Sequence, residues 1–378
     1  MVIAAPDAAA VRTLLSPRVE LDTPVMIVDE TLMARNISEM QALATSFGVN
    51  MRPHIKTHKT PRIARLQIAA GALGITCAKL GEAEVMADAD ITDILIAYPV
   101  VGPVKLRRLI ALLERAHVTV ALDSREAGLG LSEAVSAAER SIDVYVEVDT
   151  GQHRAGALAG DDAVQLGLDL ARMPGLNVAG VMSHEGHTHV LPPDEIAAVA
   201  HDAGERLVET AELLRLAGID IRQVSVGSTP SSHYTPSIPG VTEMRPGTYV
   251  FKDTTGFRYG RYGPDRCAAR ILSIVVSTPA PDRAILDAGS KSLALDQSAG
   301  HPGHGYLVGH PASVIERLSE EHGVVAVAPD DPGLAIGDRV EIIPNHVCPS
   351  LNLHDELTIV RDGQVIDLWP IAARGKVR

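Results

Sequence analysis

The chain has 378 residues, 46% of them hydrophobic and 21% charged, which is enough apolar material for two domains with a large buried core and too much for a disordered chain. Its 34 basic and 47 acidic side chains leave a formal charge of −13, which disfavours nucleic acid and anionic membranes as partners and points to a small-molecule substrate. No uninterrupted apolar run approaches the roughly 20 residues that cross a bilayer, the start lacks the basic-then-apolar layout of a signal peptide, and the sparse, odd set Cys77, Cys267 and Cys348 is no disulfide framework, so a cytoplasmic protein is expected.

Residues 24–29 (PVMIVD) read as a strand. A helix follows, with Met33, Ile37, Met40, Leu43 and Phe47 recurring every three or four positions and Gly48 at its end. Compact β-rich runs then alternate with helical stretches, at 51–56, 74–79, 93–98, 119–123, 144–149, 179–184, 223–227 and 242–249. Before the seventh run lies a long helix with Ile196, Val199, Ala203, Leu207 and Leu214 on one face. Eight strands between helices predict an α/β fold, a (β/α)8 barrel, and the chemically capable residues gather at the C-terminal strand ends, where such barrels place active sites. After about Tyr259 helical periodicity gives way to β-rich segments at 270–276, 283–287, 312–316, 323–328, 338–343 and 356–360. The expected division is a barrel domain over 1–259 and an all-β domain over 260–378, with the early strand available to pack into the second.

Five stretches carry candidate chemistry. The first, 52–59 (RPHIKTHK), puts Lys56 at a strand end, where rigid backbone can hold a reactive amine at a pocket mouth; a basic surface loop is the alternative. The second, 148–156, ends a strand in Asp149, a glycine turn and Arg154, whose planar donors suit an anionic oxygen; a strand-ending turn with a solvated arginine is the alternative. Small, hydroxyl-rich turns at 226–232 and 244–249 follow adjacent strands, the place where barrels build phosphate sites. The fifth is 344–349 (PNHVCP). On a strand, His346 and Cys348 point to one face, and an imidazole beside a thiolate suits zinc with open positions for substrate or water; a buried cysteine beside a structural histidine is the alternative. Glu320, Glu321 and His322 are candidates for a wall near that metal, or for a solvated loop. The cluster His184, Glu185, His187 and His189 lacks the HExxH spacing and reads as a loop facing cofactor or substrate, and Gly305–Tyr306 with His301, His304 and His310 reads as a surface turn.

These ordered motifs, from Thr23 to about Gly375, resemble the fold-type III pyridoxal-phosphate enzymes, whose barrel is like the N-terminal domain of alanine racemase. Within them the chain looks most like the eukaryotic-type D-serine dehydratase and D-threonine aldolase group. The resemblance implies Lys56 as the Schiff-base lysine, Arg154 at the cofactor's phenolic oxygen, and Gly227, Ser228, Thr229, Gly247 and Thr248 at its phosphate. Arg245 and His189 are the rival partners of the pyridine nitrogen. His54 and Lys59 would position or polarise Lys56.

The same resemblance implies a divalent metal on His346 and Cys348, zinc first, with manganese or magnesium as alternatives. The H-x-C pattern is similar to the dehydratases, whereas the aldolases more often show H-C-D. The implied activity is a dehydratase, or ammonia-lyase, acting on a D-3-hydroxyamino acid such as D-serine to give a 2-oxo acid and ammonia. Alternatives are an aldolase of D-threonine or 3-hydroxy-D-aspartate, an amino-acid racemase, and a non-enzymatic cofactor carrier, which tends to be a bare barrel. A homodimer is expected from the resemblance alone.

Overall fold

The computed structural model describes residues 11–298 and 301–378; the first ten residues of the expected barrel domain lie outside them. Two compact units result. One comprises Glu39–Lys56, Pro61–Gly247 and Gly375–Arg378; the other comprises Met1–Ser38, described from Val11, with Thr57–Thr60 and Thr248–Arg374. The sequence places the break at 259 because the segment beyond Gly247 still lacks a strand. That segment is instead a series of 3-10 turns, Thr248–Val250, Thr254–Tyr259 and Pro264–Arg266, which belong to the second unit.

In chain order the strands are β1 (Val25–Asp29), β2 (Asn50–Met51), β3 (Ile75–Cys77), β4 (Asp93–Ile96), β5 (His117–Leu122), β6 (Ile142–Asp149), β7 (Ala157–Leu158), β8 (Leu176–Met182), β9 (Gln223–Val226) and β10 (Glu243–Met244). They continue as β11 (Ala269–Ala280), β12 (Arg283–Leu286), β13 (Tyr306–Leu307), β14 (Val314–Leu318), β15 (Gly323–Ala326), β16 (Arg339–Ile343), β17 (Glu356–Arg361) and β18 (Gln364–Pro370). The helices are α1 (Glu30–Phe47), α2 (Pro61–Ala69), α3 (Leu80–Asp88), α4 (Pro103–Leu112), α5 (Arg125–Ala137), α6 (Asp161–Ala171), α7 (Ile196–Leu216), α8 (Ser290–Leu293) and α9 (Val347–Leu351).

The first unit carries a parallel sheet in the order β2-β10-β9-β8-β6-β5-β4-β3, with β7 added beside β6. Its two ends meet. Leu73 N donates to Met51 O at 2.8 Å, Thr76 N donates to Pro53 O at 2.9 Å, and His54 and Thr76 form a parallel bridge, which curls the eight strands into the expected barrel. These strands read as apolar runs because they are buried on both faces: β4, β5 and β6 pack Ile94, Leu95, Val118, Val120, Val144 and Val146 almost wholly out of solvent. Inside, Leu95, Ala121, Tyr145, Ala179 and Met182 form one cluster. Gly180 is required in β8, since a Cβ there would come within 2.6 Å of the Gln223 carbonyl.

The second unit carries a mostly antiparallel sheet ordered β14-β15-β12-β11-β1-β17-β18, with β16 pairing β11 and β13. The early strand β1 sits in its middle, antiparallel to β11 through Val25–Leu272 and parallel to β17 through Ile27–Thr358. Helix α1 ends where expected, at Gly48 with φ +69°. Three strands escaped the sequence reading, the two-residue β7 beside β6 among them. In β18 a two-residue Asp362–Gly363 turn with φ of +50° and +77° signals a hairpin, and the short β13 buries Tyr306 in a segment read as a surface turn. Among the described residues no helix is long and apolar enough to cross a membrane.

One buried ion pair ties the start of the described chain to this sheet. The Glu341 carboxylate accepts from Leu14 N at 2.7 Å, Leu15 N at 3.1 Å and Arg270 Nη1 at 2.8 Å, and Arg270 Nη1 also reaches Arg12 O at 2.9 Å. Arg270 and Glu341 are 1% and 2% exposed, so removing one member leaves an uncompensated buried charge. Glu341→Ala is expected to cost about 3–5 kcal/mol, read as a lower urea midpoint at constant slope.

Candidate active site

The barrel unit holds a cavity of about 540 Å³ lined by Lys56 with, among others, His54, Glu147, Arg154, His184 and Arg245. Lys56 lies in the single 3-10 turn Ile55–Thr57 that follows β2. The backbone before it is held from both sides, by Thr76 N on the Pro53 carbonyl and by His54 N on Pro246 O at 3.0 Å. That is the rigid strand-end position a reactive amine needs.

Two imidazoles flank it. His54 Nδ1 receives the Lys56 amide at 3.4 Å, and its other side hydrogen-bonds the Thr76 backbone. His184 lies 2.5 Å from the Gly227 carbonyl through Nδ1, which must therefore carry the proton and donate, leaving Nε2 as a lone-pair acceptor. Burial, then the nearby Lys56, pushes both imidazoles well below the usual histidine range, so each is neutral.

Arg154 is on the exposed side of the cavity, 3.6 Å from Glu147, whose carboxyl is raised by burial against the opposing pull of Arg154. Arg245 is buried. It donates through Nη1 to Ser225 Oγ at 2.5 Å and through Nη2 to the Ser183 carbonyl. Ser225 Oγ in turn donates to Glu243 at 2.5 Å, and Arg52 binds Glu243 at 2.7 Å and Asp93 at 2.5 Å. A hydrogen-bonded chain thus runs through the barrel interior to the cavity wall.

The turn after β9 is held by Glu185, which the sequence reading placed in a loop facing cofactor or substrate. Glu185, fully buried, accepts from Gly227 N at 3.1 Å, Ser231 Oγ at 2.9 Å and Ser183 Oγ at 2.7 Å, while Ser228 and Ser231 share a hydroxyl contact of 2.7 Å. Gly227 and Ser228 therefore spend donors within the loop. Among the described residues, Thr229 N and Oγ1 find no protein acceptor, and Gly247 N finds none either. A larger residue at 227 would press on Arg245, whose Cβ lies 3.0 Å from the position of an added Cβ. Thr248 opens the 3-10 turn of the other unit.

His189 does not line the cavity. The five-residue 3-10 turn Gly186–Val190 folds its Nδ1 back onto Gly186 O and leaves the side chain exposed, so His184 takes the place in the wall that the sequence reading offered to His189. Of the two rivals for a pyridine nitrogen, Arg245 is the one in the cavity. Lys59 is buried with φ +51° in the other unit and is absent from the lining. The lining also includes Lys105, Asp123 and Tyr98, with Lys79 Nζ 3.5 Å over the Tyr98 ring. No spacing rule links these to Lys56; only the barrel brings them to one end.

In the second unit, His346 and Cys348 do not lie on a strand. Val347 starts the short helix α9, whose first amide donates to the buried Asp253 carboxylate at 3.1 Å, so period-two geometry does not apply. The two side chains nonetheless hydrogen-bond, and Thr57 Oγ1 stands 3.2 Å from Cys348 Sγ. Burial opposes charge on His346, but the Cys348 sulfur, Asp253 and Asp296 outweigh it and push the imidazole up to about 10. Glu320, Glu321 and His322 are exposed at the β14–β15 turn, with Glu321 2.6 Å from Lys291. Among the described residues no three His, Cys, Asp or Glu side chains converge as a metal cage, so a metal held by this pair would keep open positions. All three cysteines are free.

The chain matches the family described as Alanine racemase, N-terminal domain, over residues 28–255, and that described as Putative serine dehydratase domain over 268–360. It is 39% identical over 370 residues to a D-threonine aldolase of an Arthrobacter species, covering 95% of this chain and 94% of that one. The crystal structure of D-threonine aldolase from Filomicrobium marinum superposes with a TM-score of 0.89 at 38% identity, covering 95% and 97% of the two chains. A structure of a D-threo-3-hydroxyaspartate dehydratase, a cysteine-to-alanine mutant described as the metal-free form, superposes with a TM-score of 0.87 at 32% identity, covering 95% and 98%. The two units, their order and their relatives agree: the chain belongs to the fold-type III pyridoxal-phosphate family of lyases, an alanine racemase-like barrel joined to a serine dehydratase-like domain.

Proposed function

We propose that the chain is a pyridoxal-phosphate and zinc-dependent dehydratase of D-3-hydroxyamino acids, D-serine among them. The observation that carries the choice of reaction is the pairing of His346 with Cys348, an imidazole and a cysteine sulfur two positions apart. A relative with a cysteine replaced by alanine is described as metal-free, which supports reading this pair as the metal ligands.

The cavity residues fit the cofactor. Lys56, Lys105, Arg154 and Arg245 face two carboxylates, Asp123 and Glu147, so an acidic chain presents a basic lining to a polyanion. Bound there, pyridoxal phosphate supplies an electron sink for cleavage of bonds to the amino acid's Cα. Lys56 Nζ would be the attachment point and, when free, the base that takes the Cα proton. Arg154 holds an anionic ring oxygen, and Thr229 and Gly247 offer open amides to the phosphate. Arg245, a fixed cation with two donors committed to Ser183 and Ser225, would stand beside the pyridine nitrogen and disfavour its protonation. His54 and His184, both neutral, add no charge beside Lys56. His346 and Cys348 hold the divalent ion, whose Lewis acidity suits the departure of a hydroxyl group.

A second reading, an aldolase that releases glycine and an aldehyde, is favoured by one observation: the two aldolases share 38% and 39% identity with the chain against 32% for the dehydratase structure. Incubation with D-serine, D-threonine and 3-hydroxy-D-aspartate, with products identified by mass, separates them. Ammonia and a 2-oxo acid are expected; glycine and an aldehyde would replace the dehydratase reading with the aldolase. Chelation should abolish turnover without lowering the melting temperature, and added zinc should restore it. Lys56→Ala should lose both the visible absorbance of bound cofactor and activity, the latter on the order of a thousandfold; turnover that survived would remove Lys56 from the mechanism.

A further inference from the structure

The two nitrogens of the His346 ring have different neighbours. Nδ1 lies 3.0 Å from Asp296 Oδ1, and because a carboxylate only accepts, Nδ1 must be the donor. When the ring gives up its second proton to bind a cation, the lone pair resides on Nε2, because Nδ1 keeps its proton for Asp296.

Asp296 is itself anchored. Its backbone carbonyl receives Asn345 Nδ2 at 3.1 Å, and Asn345, 2% exposed, is fixed by a second donation to Gly303 O at 2.7 Å and by Thr254 Oγ1 at 2.9 Å. The preceding segment is pinned as well: Ser350 Oγ donates to Leu293 O at 2.5 Å, and His354 Nε2 meets Ser292 O at 3.1 Å. The residues just before and just after the imidazole thus grip the stretch that delivers the carboxylate. Nothing in the sequence marks Asp296, which stands alone some fifty positions upstream in LALDQS.

We propose that Asp296 is a positioning residue for the divalent cation: it fixes the tautomer and ring orientation of His346, presenting Nε2 to the metal shared with Cys348. This rests on the metal reading given above. A carboxylate behind a ligating histidine also raises the basicity of the ligand, and loss of such a partner weakens metal binding about tenfold to a hundredfold. Asp296 is not a third ligand in this reading, because its carboxylate is engaged by Nδ1 and no three-residue cage is formed among the described residues.

The test is zinc affinity, by competition with a chromophoric chelator, in the full chain loaded with pyridoxal phosphate and stripped of metal. Asp296→Ala should bind zinc about ten to a hundred times more weakly than the unaltered chain, with the same metal-free melting temperature. Asp296→Asn, which keeps a carbonyl oxygen to accept from Nδ1, should recover most of that loss. Cys348→Ala provides the reference for a lost ligand. Unchanged affinity in Asp296→Ala, or equal losses in both Asp296 variants, or a melting temperature that falls in step with affinity, would overturn the assignment while leaving the metal site in place. An unaltered chain that binds no zinc would overturn both.

Discussion

The buried guanidinium of Arg52 is the charge around which the barrel interior is arranged. A cation out of water must be matched or the barrel cannot close over it, and Arg52 is matched twice, by Glu243 from β10 and by Asp93 from β4. Glu243 has a second oxygen to satisfy, and Ser225 of β9 satisfies it. Ser225 then receives Arg245, which reaches across to the end of β8 at the Ser183 carbonyl. Five strands are thereby held by one polar thread, and its last member stands in the cavity wall. The orientation of Arg245 is set from within the barrel, before any ligand arrives.

That thread explains the protonation pattern at the cavity. Arg245 and Lys56 add positive charge beside His54 and His184, and burial has already disfavoured their protonated forms. A protein that placed two ordinary surface histidines there would add two charges on mild acidification. Here the lining keeps its charge from its lysines and arginines alone, so its attraction for an anionic ligand does not depend on histidine titration. Glu185 serves the next layer: by taking the Gly227 amide and the Ser231 hydroxyl it fixes the loop beside Arg245 and leaves the Thr229 donors unspent.

Residues whose role depends on strand position were legible in the sequence. Lys56, Arg154, Arg245 and the turn at 227–229 each lie in the segment that follows a strand, and alternation of apolar runs with helices is enough to place those segments. Residues whose role depends on reaching across the fold were not. Glu185 looked like one acid in a histidine-rich stretch, and only the proximity of β8 to β9 gives it three donors to bind. Asp296 lies in an irregular segment with no periodicity. His189 and His184 are five residues apart with the same chemistry, and a 3-10 turn, which has no strong composition signal, decides which one faces inward. The strand assumed for His346 and Cys348 failed for a related reason: the helix α9 starts there because Asp253, far away in sequence, accepts its first amide.

The two reaction readings diverge at Cα: dehydration removes the Cα proton and then expels the hydroxyl from the neighbouring carbon, whereas aldol cleavage keeps that proton and breaks the Cα–Cβ bond as the hydroxyl proton is taken. Dehydration expels an oxygen and needs a Lewis acid on it; aldol cleavage takes the proton from that oxygen and needs a base. Identity averaged over 370 residues weighs mostly strands and helices that serve both reactions equally. The ligand pair carries more chemical information than that average. A thiolate beside an imidazole selects a soft, strongly polarising ion such as zinc, whereas a carboxylate in the same place favours harder ions such as magnesium or manganese. On the proposed reading, Cys348 rather than an acid beside His346 would favour an ion that makes hydroxide a better leaving group, and this is the argument for dehydration over the identity ranking.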